Sequence, residues 1–424
     1  MDVTKVFETV EEKAARMAGM LSDIIGIDTS VPPGRNYPEM ADYLEPLLEQ
    51  AGLRTERVVV PEEEWRKIPL PLEGERVNLV AAMDSGKPPV SIYAHMDVVP
   101  AGVGWTVEPF EGKVMNGEVY GRGAVDMKGT IPPAVVALEV IGELGLEPRF
   151  DVRVLLCTDE EIGIDPGAAY LARNGYFKPP IIHLEGGGQG PVMIAANAGS
   201  LKATVTTIGR EVHSGFSFLG INALEEAIPV MQELMELKRR VEVRESSFPS
   251  LPLPGVTSEK LTPTFNLNIM TAGVKLNIVP GRAELQIDRR FLPEENVEDV
   301  KEEIESAVDK ARAKSKAERI EVEFVTIYMT HSIDTSSPHV EHWNEGVRLA
   351  LGLPADLEFI YPAMTGSTDM SFVKEILKTD QFVGTGVVDL EHVGAHQADE
   401  CVPIKNMVNL CKELVYFLVD LEVT

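Results

Sequence analysis

His95 and Asp97 directly follow the apolar run VSIYA, Asp126 lies in GRGAVDMKG just before a helical stretch, Glu160 and Glu161 follow VRVLLCT, and Glu185 follows IIHL. Imidazole and carboxylate are intermediate to hard donors, and such a set suits zinc, cobalt or manganese. Several acids packed together repel one another unless cations neutralise them. Taken alone, an HxD triplet is an ordinary polar turn and a Glu-Glu pair an ordinary solvated helix start. Together, past the ends of successive apolar runs, they point to a metal site.

The elements that must position these groups follow from periodicity. Val10, Ala14, Met17, Leu21 and Ile24 recur at helical spacing, and MADYLEPLLEQAGL predicts a second helix beyond the loop SVPPGRN. Short, nearly all-apolar runs (VNLVAAM, VSIYAHM, VRVLLCT, IIHL) then alternate with helical stretches such as TIPPAVVALEVIGELG. That alternation predicts an α/β fold, a mixed sheet flanked by helices. Open α/β sheets carry their ligand crevice at the carboxyl ends of strands, where three of these groups fall.

Between 200 and 331 the order becomes βαββαβ, from KATVTTIG to RIEVEFVTIY, which predicts an inserted ferredoxin-like α+β domain. The expected organisation is therefore 1–199 and 332–424 as a catalytic domain in two parts, with 200–331 inserted. Within the insert, Arg244 to Pro263 is rich in Ser and Pro and reads as a long exposed loop. LEFIYPAM, QFVGTG and the helix PIKNMVNLCKELVYFLVDL are expected to complete the first sheet.

The chain has 424 residues and a net charge of -28, so phosphate backbones and anionic lipid are repelled and nucleic acid is an unsuitable partner. Cys157, Cys401 and Cys411 form no CxxC pair, so neither a disulfide framework nor a thiolate metal site is expected, and a reducing compartment is suggested. The N-terminus lacks the apolar core of a signal peptide, and no apolar run is long enough to cross a bilayer. A cytoplasmic location is the expectation.

AHMDVVP, GRGAVDMKG, TDEEIG, HLEGG, HSG, NIVPGRAELQIDRR, GSTDMSF and GAHQADE, in that order, resemble the M20 metallopeptidases. That zinc-exopeptidase-like family includes acetylornithine deacetylase, succinyl-diaminopimelate desuccinylase, carboxypeptidase G and aminoacylase. The resemblance covers essentially the whole chain. It implies two divalent ions, zinc first with cobalt or manganese as alternatives, bound by His95 and Glu185 on one side, by Glu161 and His396 on the other, and bridged by Asp126. It implies Asp97 as the carboxylate orienting the His95 ring and Glu160 as general base toward a hydroxide shared by the metals.

In the inserted domain the resemblance makes His213 the oxyanion-stabilising histidine, commonly supplied across a homodimer, although Gly-Phe-Ser here replaces the usual Ala-x-Pro after His-Ser. Asn277, Arg290 and the turn Gly366, Ser367, Thr368 are implied as substrate contacts, and Asp369 as structural. The alternative reading of Arg290, a surface charge in the run DRR, is the less favoured. His392 competes with His396 for the metal, and the position of Glu400 after His396 favours the latter. His183 reads as a core residue, and His331, His339 and His342 as packing or surface. The implied activity is cleavage of an amide in a small N-acyl amino acid, with a dipeptidase or carboxypeptidase of the same family as alternative. An inactive homologue that binds a metabolite or partner is the reading from another class.

Overall fold

The structure is a computed structural model, and it describes residues 1–163, 166–252, 256–389, 392 and 394–423. In chain order the first part contains helices α1 (Val3–Glu12), α2 (Ala14–Ile25) and α3 (Tyr37–Gln50), then strands β1 (Arg54–Val59), β2 (Val77–Ala82), β3 (Pro89–His95), β4 (Lys113–Met115) and β5 (Glu118–Tyr120). Helix α4 (Ile131–Glu143) and strands β6 (Asp151–Cys157) and β7 (Ile181–His183) follow. The inserted run holds β8 (Ala196–Asn197), β9 (Gly199–Ile208), β10 (Val212–His213), α5 (Ile228–Val241), β11 (Thr264–Ala272), β12 (Ile278–Val279), β13 (Arg282–Phe291), α6 (Val297–Arg312), β14 (Arg319–Tyr328) and β15 (His331–Ser332). The chain closes with α7 (Pro338–Leu351), β16 (Ala363–Met364), β17 (Phe382–Val383), β18 (Cys401–Pro403) and α8 (Ile404–Leu418).

Two compact units emerge: Met1–Ala195 with Ile333–Pro362 and Phe372–Thr424, and Ala196–Ser332 with Ala363–Ser371. In the first, a six-stranded sheet runs β1-β2-β6-β3-β7-β17. Its β6, β3, β7 and β17 are mutually parallel, while β2 runs antiparallel to β6. The strand β3 is buried from Val90 to His95, the burial on both faces that its unbroken apolar run requires. Helix α4 buries ten of its residues, so IPPAVVALEVIGE shows no polar stripe. Helix α8 packs on α4, α7 and α2. The first expected helix is interrupted at Lys13, whose N–H closes a tight turn on the Val10 carbonyl.

In the second unit β11-β13-β9-β14 form an antiparallel sheet against which α5 and α6 pack, their shared core including Leu201, Leu234, Phe265, Ile287 and Ile304. The order is that of a ferredoxin-like fold. Two expectations need correction. LEFIYPAM does not join the large sheet: Pro362 has no N–H to donate, and only β16 forms a strand, beside β8 in a small sheet with β15. That pairing draws 196–199 and 363–371 into the second unit. The segment Arg244 to Pro263 is irregular but anchored, with Ser246 and Leu261 buried and Arg244 paired to Glu295 and Glu303; residues 253–255 of that expected loop lie outside the described residues. Among the described residues no helix is long and apolar enough to cross a membrane.

Candidate metal centre

Parallel pairing sets the strand ends level. His95, the last residue of β3, stands opposite Cys157, the last of β6, and Tyr93 stands opposite His183 at the end of β7. The residues just beyond, Asp97, Glu160, Glu161 and Glu185, therefore leave the sheet at one edge. Asp126 reaches the same place from the turn before α4, and His396 from the segment before β18.

The imidazole Nε2 of His95 lies 3.1 Å from Asp126 Oδ1 and 3.4 Å from Glu185 Oε1. The other oxygen of Asp126, Oδ2, lies 3.3 Å from His396 Nε2, which is 3.0 Å from Glu161 Oε2. Two sets of donors result, His95 with Asp126 and Glu185, and His396 with Asp126 and Glu161, each with its donor atoms within 4.8 Å of one another. Asp126 belongs to both. Glu160, adjacent to Glu161 and itself buried, belongs to neither.

Asp97 is fully buried beside His95, its Oδ1 3.5 Å from Nδ1, while its Oδ2 accepts the Glu161 N–H at 3.0 Å. It thus connects the donors after β3 with those after β6. Asp97 Oδ1 is buried without a hydrogen-bond partner among the described residues. The site is open on one side: the His396 side chain is half-exposed, whereas that of His95 is buried.

The electrostatics of the set follow from its crowded carboxylates. Burial opposes charge on Asp126, but its contacts with His396 and His95 hold it below the usual carboxylate range. Burial, then the charge of Asp126, pushes Glu161 up to about 7 against the pull of His396. Hydrogen bonds to Asp126 and Glu161 push His396 up to about 10. Burial pulls His95 down, yet Asp97 and Asp126 outweigh it and raise it. The carboxylates favour the charged form of both imidazoles, so the pocket favours positive charge. Divalent cations supply that charge with neutral imidazoles, and nitrogen and oxygen donors without thiolate fit the zinc class.

Supporting roles that the sequence did not assign fall to Glu400, Tyr37, Arg76 and Asp159. Buried Glu400 accepts N–H groups of Val125 (2.8 Å) and Asp126 (3.1 Å) on one oxygen and of Gly123 (3.2 Å) on the other, with the Arg122 guanidinium at 2.6 Å. Gly123 has φ +88°, and a Cβ there would sit 2.6 Å from Val98, so the turn requires glycine. The signal was the glycine-rich GRGAVD, which offers consecutive N–H groups to an anion. Before Glu160, buried Asp159 accepts the Tyr37 hydroxyl at 3.2 Å and faces Arg76 at 3.4 Å; burial pushes it up to about 7 against Arg76. His183 is buried as expected, and its Nε2 also lies 3.4 Å from Glu185 Oε2.

His392 stands apart from both donor sets, 2.7 Å from Asp389 and 2.9 Å from Glu118. His339 and His342 pack on Phe417, and His331 is buried on β15. In the second unit, His213 and Asn277 are brought together: β10 pairs with β12, the Ser214 N–H reaches the Asn277 carbonyl at 3.0 Å, and both residues are exposed. Arg290 is no free surface charge. It is half-buried, and its Nη1 donates to Ser367 Oγ at 3.2 Å, while Ser367 donates to the Ala198 carbonyl and Asn197 to that of Gly366. Thr368 and Asp369 are buried in the same turn.

The model of Peptidase family M20/M25/M40 matches residues 91–420. A probable succinyl-diaminopimelate desuccinylase of Staphylococcus aureus is 29% identical over 291 residues, covering 65% of this chain and 68% of that protein. Among solved structures, an M20 family metallo-carboxypeptidase from Sulfolobus solfataricus superposes with a TM-score of 0.74 at 19% identity, covering 95% of this chain and 98% of that one. A dinuclear metal-binding peptidase of the M20 family from Bacillus subtilis gives 0.65 at 14% identity, covering 96% and 98%. At such identities the structures establish the shared fold.

Proposed function

Because this chain belongs to Peptidase family M20/M25/M40 and is a hydrolase, we propose that it cleaves the amide bond of a small N-acyl amino acid with two divalent metal ions, zinc first, cobalt or manganese as alternatives. His95, Asp126 and Glu185 would hold one ion, and Asp126, Glu161 and His396 the other. The observation that carries this reading is Asp126, whose two oxygens face different histidines, 3.1 Å from His95 and 3.3 Å from His396. When bound, the pair of cations supplies Lewis acidity to the substrate carbonyl and acidifies a water.

The chain's own residues do the rest. Asp97 holds the His95 ring in its ligating orientation. Glu160, outside both donor sets, takes the proton of the attacking water and returns it to the leaving nitrogen. His213 stabilises the oxyanion of the tetrahedral species, supplied across a homodimer. Arg290 with the Gly366, Ser367, Thr368 turn, and Asn277, receive the substrate carboxylate; the contact between Arg290 and Ser367 supports grouping them.

The desuccinylase relative favours an acyl amino acid as substrate. The structural neighbour named a metallo-carboxypeptidase favours the second reading, release of a C-terminal residue from a short peptide. Hydrolysis of a panel of N-acetyl and N-succinyl amino acids against dipeptides, in protein loaded with zinc, cobalt or manganese, separates the two. Unchanged turnover after exhaustive chelation, with no metal detected, would refute both.

A further inference from the structure

A cluster of side chains of metal-ligating type lies outside the Asp126 centre. Glu118 on β5, Cys401 on β18 and His392 bring a carboxylate oxygen, a sulfur and an imidazole nitrogen within 4.8 Å of one another. The strands dictate two of the three. β18 pairs antiparallel with β5, placing Cys401 opposite Tyr120 and Pro403 opposite Glu118. Residues opposite one another, or two apart on a strand, share a face. Glu118, Tyr120 and Cys401 therefore emerge together, while Val119 and Val402 are buried.

His392 completes the set in an orientation suited to ligation. Its Nδ1 lies 2.7 Å from Asp389 Oδ1, and the Asn406 amide donates to Asp389 Oδ2 at 2.7 Å and to the Val387 carbonyl at 2.9 Å. A carboxylate on Nδ1 fixes the proton there and turns the Nε2 lone pair outward. Nε2 in turn lies 2.9 Å from Glu118 Oε1, and the other oxygen of Glu118 accepts the Tyr120 hydroxyl at 2.5 Å.

We infer that Glu118, His392 and Cys401 form a further divalent-cation site of the zinc class, which ties the segment preceding His396 to β5. Thiolate, imidazole and carboxylate together select a borderline-soft ion over magnesium or calcium. One thiolate and one carboxylate neutralise its charge, and loading releases the Cys401 thiol proton. Three protein donors leave a fourth position for water. Cys401 adjoins Glu400, which holds the Asp126 turn, so the role is structural support of that region. The competing arrangement is a plain ion pair of a protonated His392 with Asp389 and Glu118.

Cobalt separates them, because the donors of the Asp126 centre are nitrogen and oxygen only and give no thiolate-to-cobalt band. Titrating the intact, metal-free protein with Co2+ is expected to produce a near-ultraviolet thiolate-to-cobalt charge-transfer band. Cys401→Ser is expected to lose the band and one bound cobalt per chain. No band in cobalt-saturated wild-type protein, or a band that survives in C401S, overturns the proposal whatever happens at the other centre. Should C401S lose its native circular dichroism, alkylation of Cys401 in the wild-type protein decides, followed by peptide mass. Co2+ is expected to slow it about tenfold or more, since a coordinated sulfur is a poor nucleophile, and an unchanged rate overturns the site.

Discussion

Glu160 and Glu161 are neighbours in sequence with different surroundings. Glu161 faces His396 and lies in a donor set, whereas Glu160 is buried outside both. Glu160→Gln is therefore expected to keep its metal content while kcat falls about 10²- to 10⁴-fold, the range for loss of a general base. Metal analysis beside steady-state kinetics checks this, and full turnover would remove Glu160 from the mechanism. Glu400 acts at one remove, through the N–H groups of the Asp126 turn. Glu400→Gln is expected to weaken metal binding about 10- to 100-fold, as loss of an outer partner does. Competition against a chelating dye measures it, and addition of excess metal should restore most activity. At this scale the sequence distinguished His396 from His392 only by family resemblance; geometry adds a physical reason, since His396 faces Asp126 and Glu161 whereas His392 lies with Glu118 and Asp389, outside both donor sets that share Asp126.

The elements work by alignment. Parallel β3, β6 and β7 end level, so groups far apart in the chain leave the sheet side by side. Helix α8 shows a different consequence of burial. Glu413 on its inner face is buried and pushed up to about 8, with Thr385 donating to it and the Trp343 indole donating to Thr385. A carboxyl whose folded pKa is raised binds its proton more tightly in the folded than in the unfolded chain. From the unfolded value of 4.5 up to about 8, stability should therefore fall as pH rises. Glu413→Gln is expected to flatten that slope, so the urea midpoint at pH 8 should gain on wild type relative to pH 5. A variant with the same pH profile would contradict this. In the second unit Ile304 of α6 is buried in the core, and Ile304→Ala is expected to cost about 2–5 kcal/mol in urea unfolding.

At the scale of the whole molecule, the second unit carries an exposed apolar group, Phe216, Phe218 and Leu219 beside His213 in sequence, with Val274 and Leu276 beside Asn277. A homodimer that covers them should sediment at about twice 46.4 kDa. Phe218→Asp is expected to shift the equilibrium toward monomer and, if His213 acts across the interface, to lower kcat with it. A wild-type protein that sediments as a monomer at working concentration removes the trans arrangement. The charge of -28 adds salt dependence, since like-charged protomers associate more readily as ionic strength rises.

Much of this molecule was legible in the chain itself. Period-two and all-apolar runs identify the strands, helical spacing the helices, and the change of order at residue 200 the inserted βαββαβ unit, because local hydrophobic pattern reports which face is buried. His95 and the carboxylates of the centre could be named for the same reason, as each follows a strand or precedes a helix, whereas His396 does neither and was named by family resemblance. The partners that hold them could not. Glu400 on the Asp126 turn, Arg76 on Asp159 and Cys401 beside His392 all depend on which distant segments pair, and pairing is decided by three-dimensional packing that leaves no periodic trace in the residues concerned.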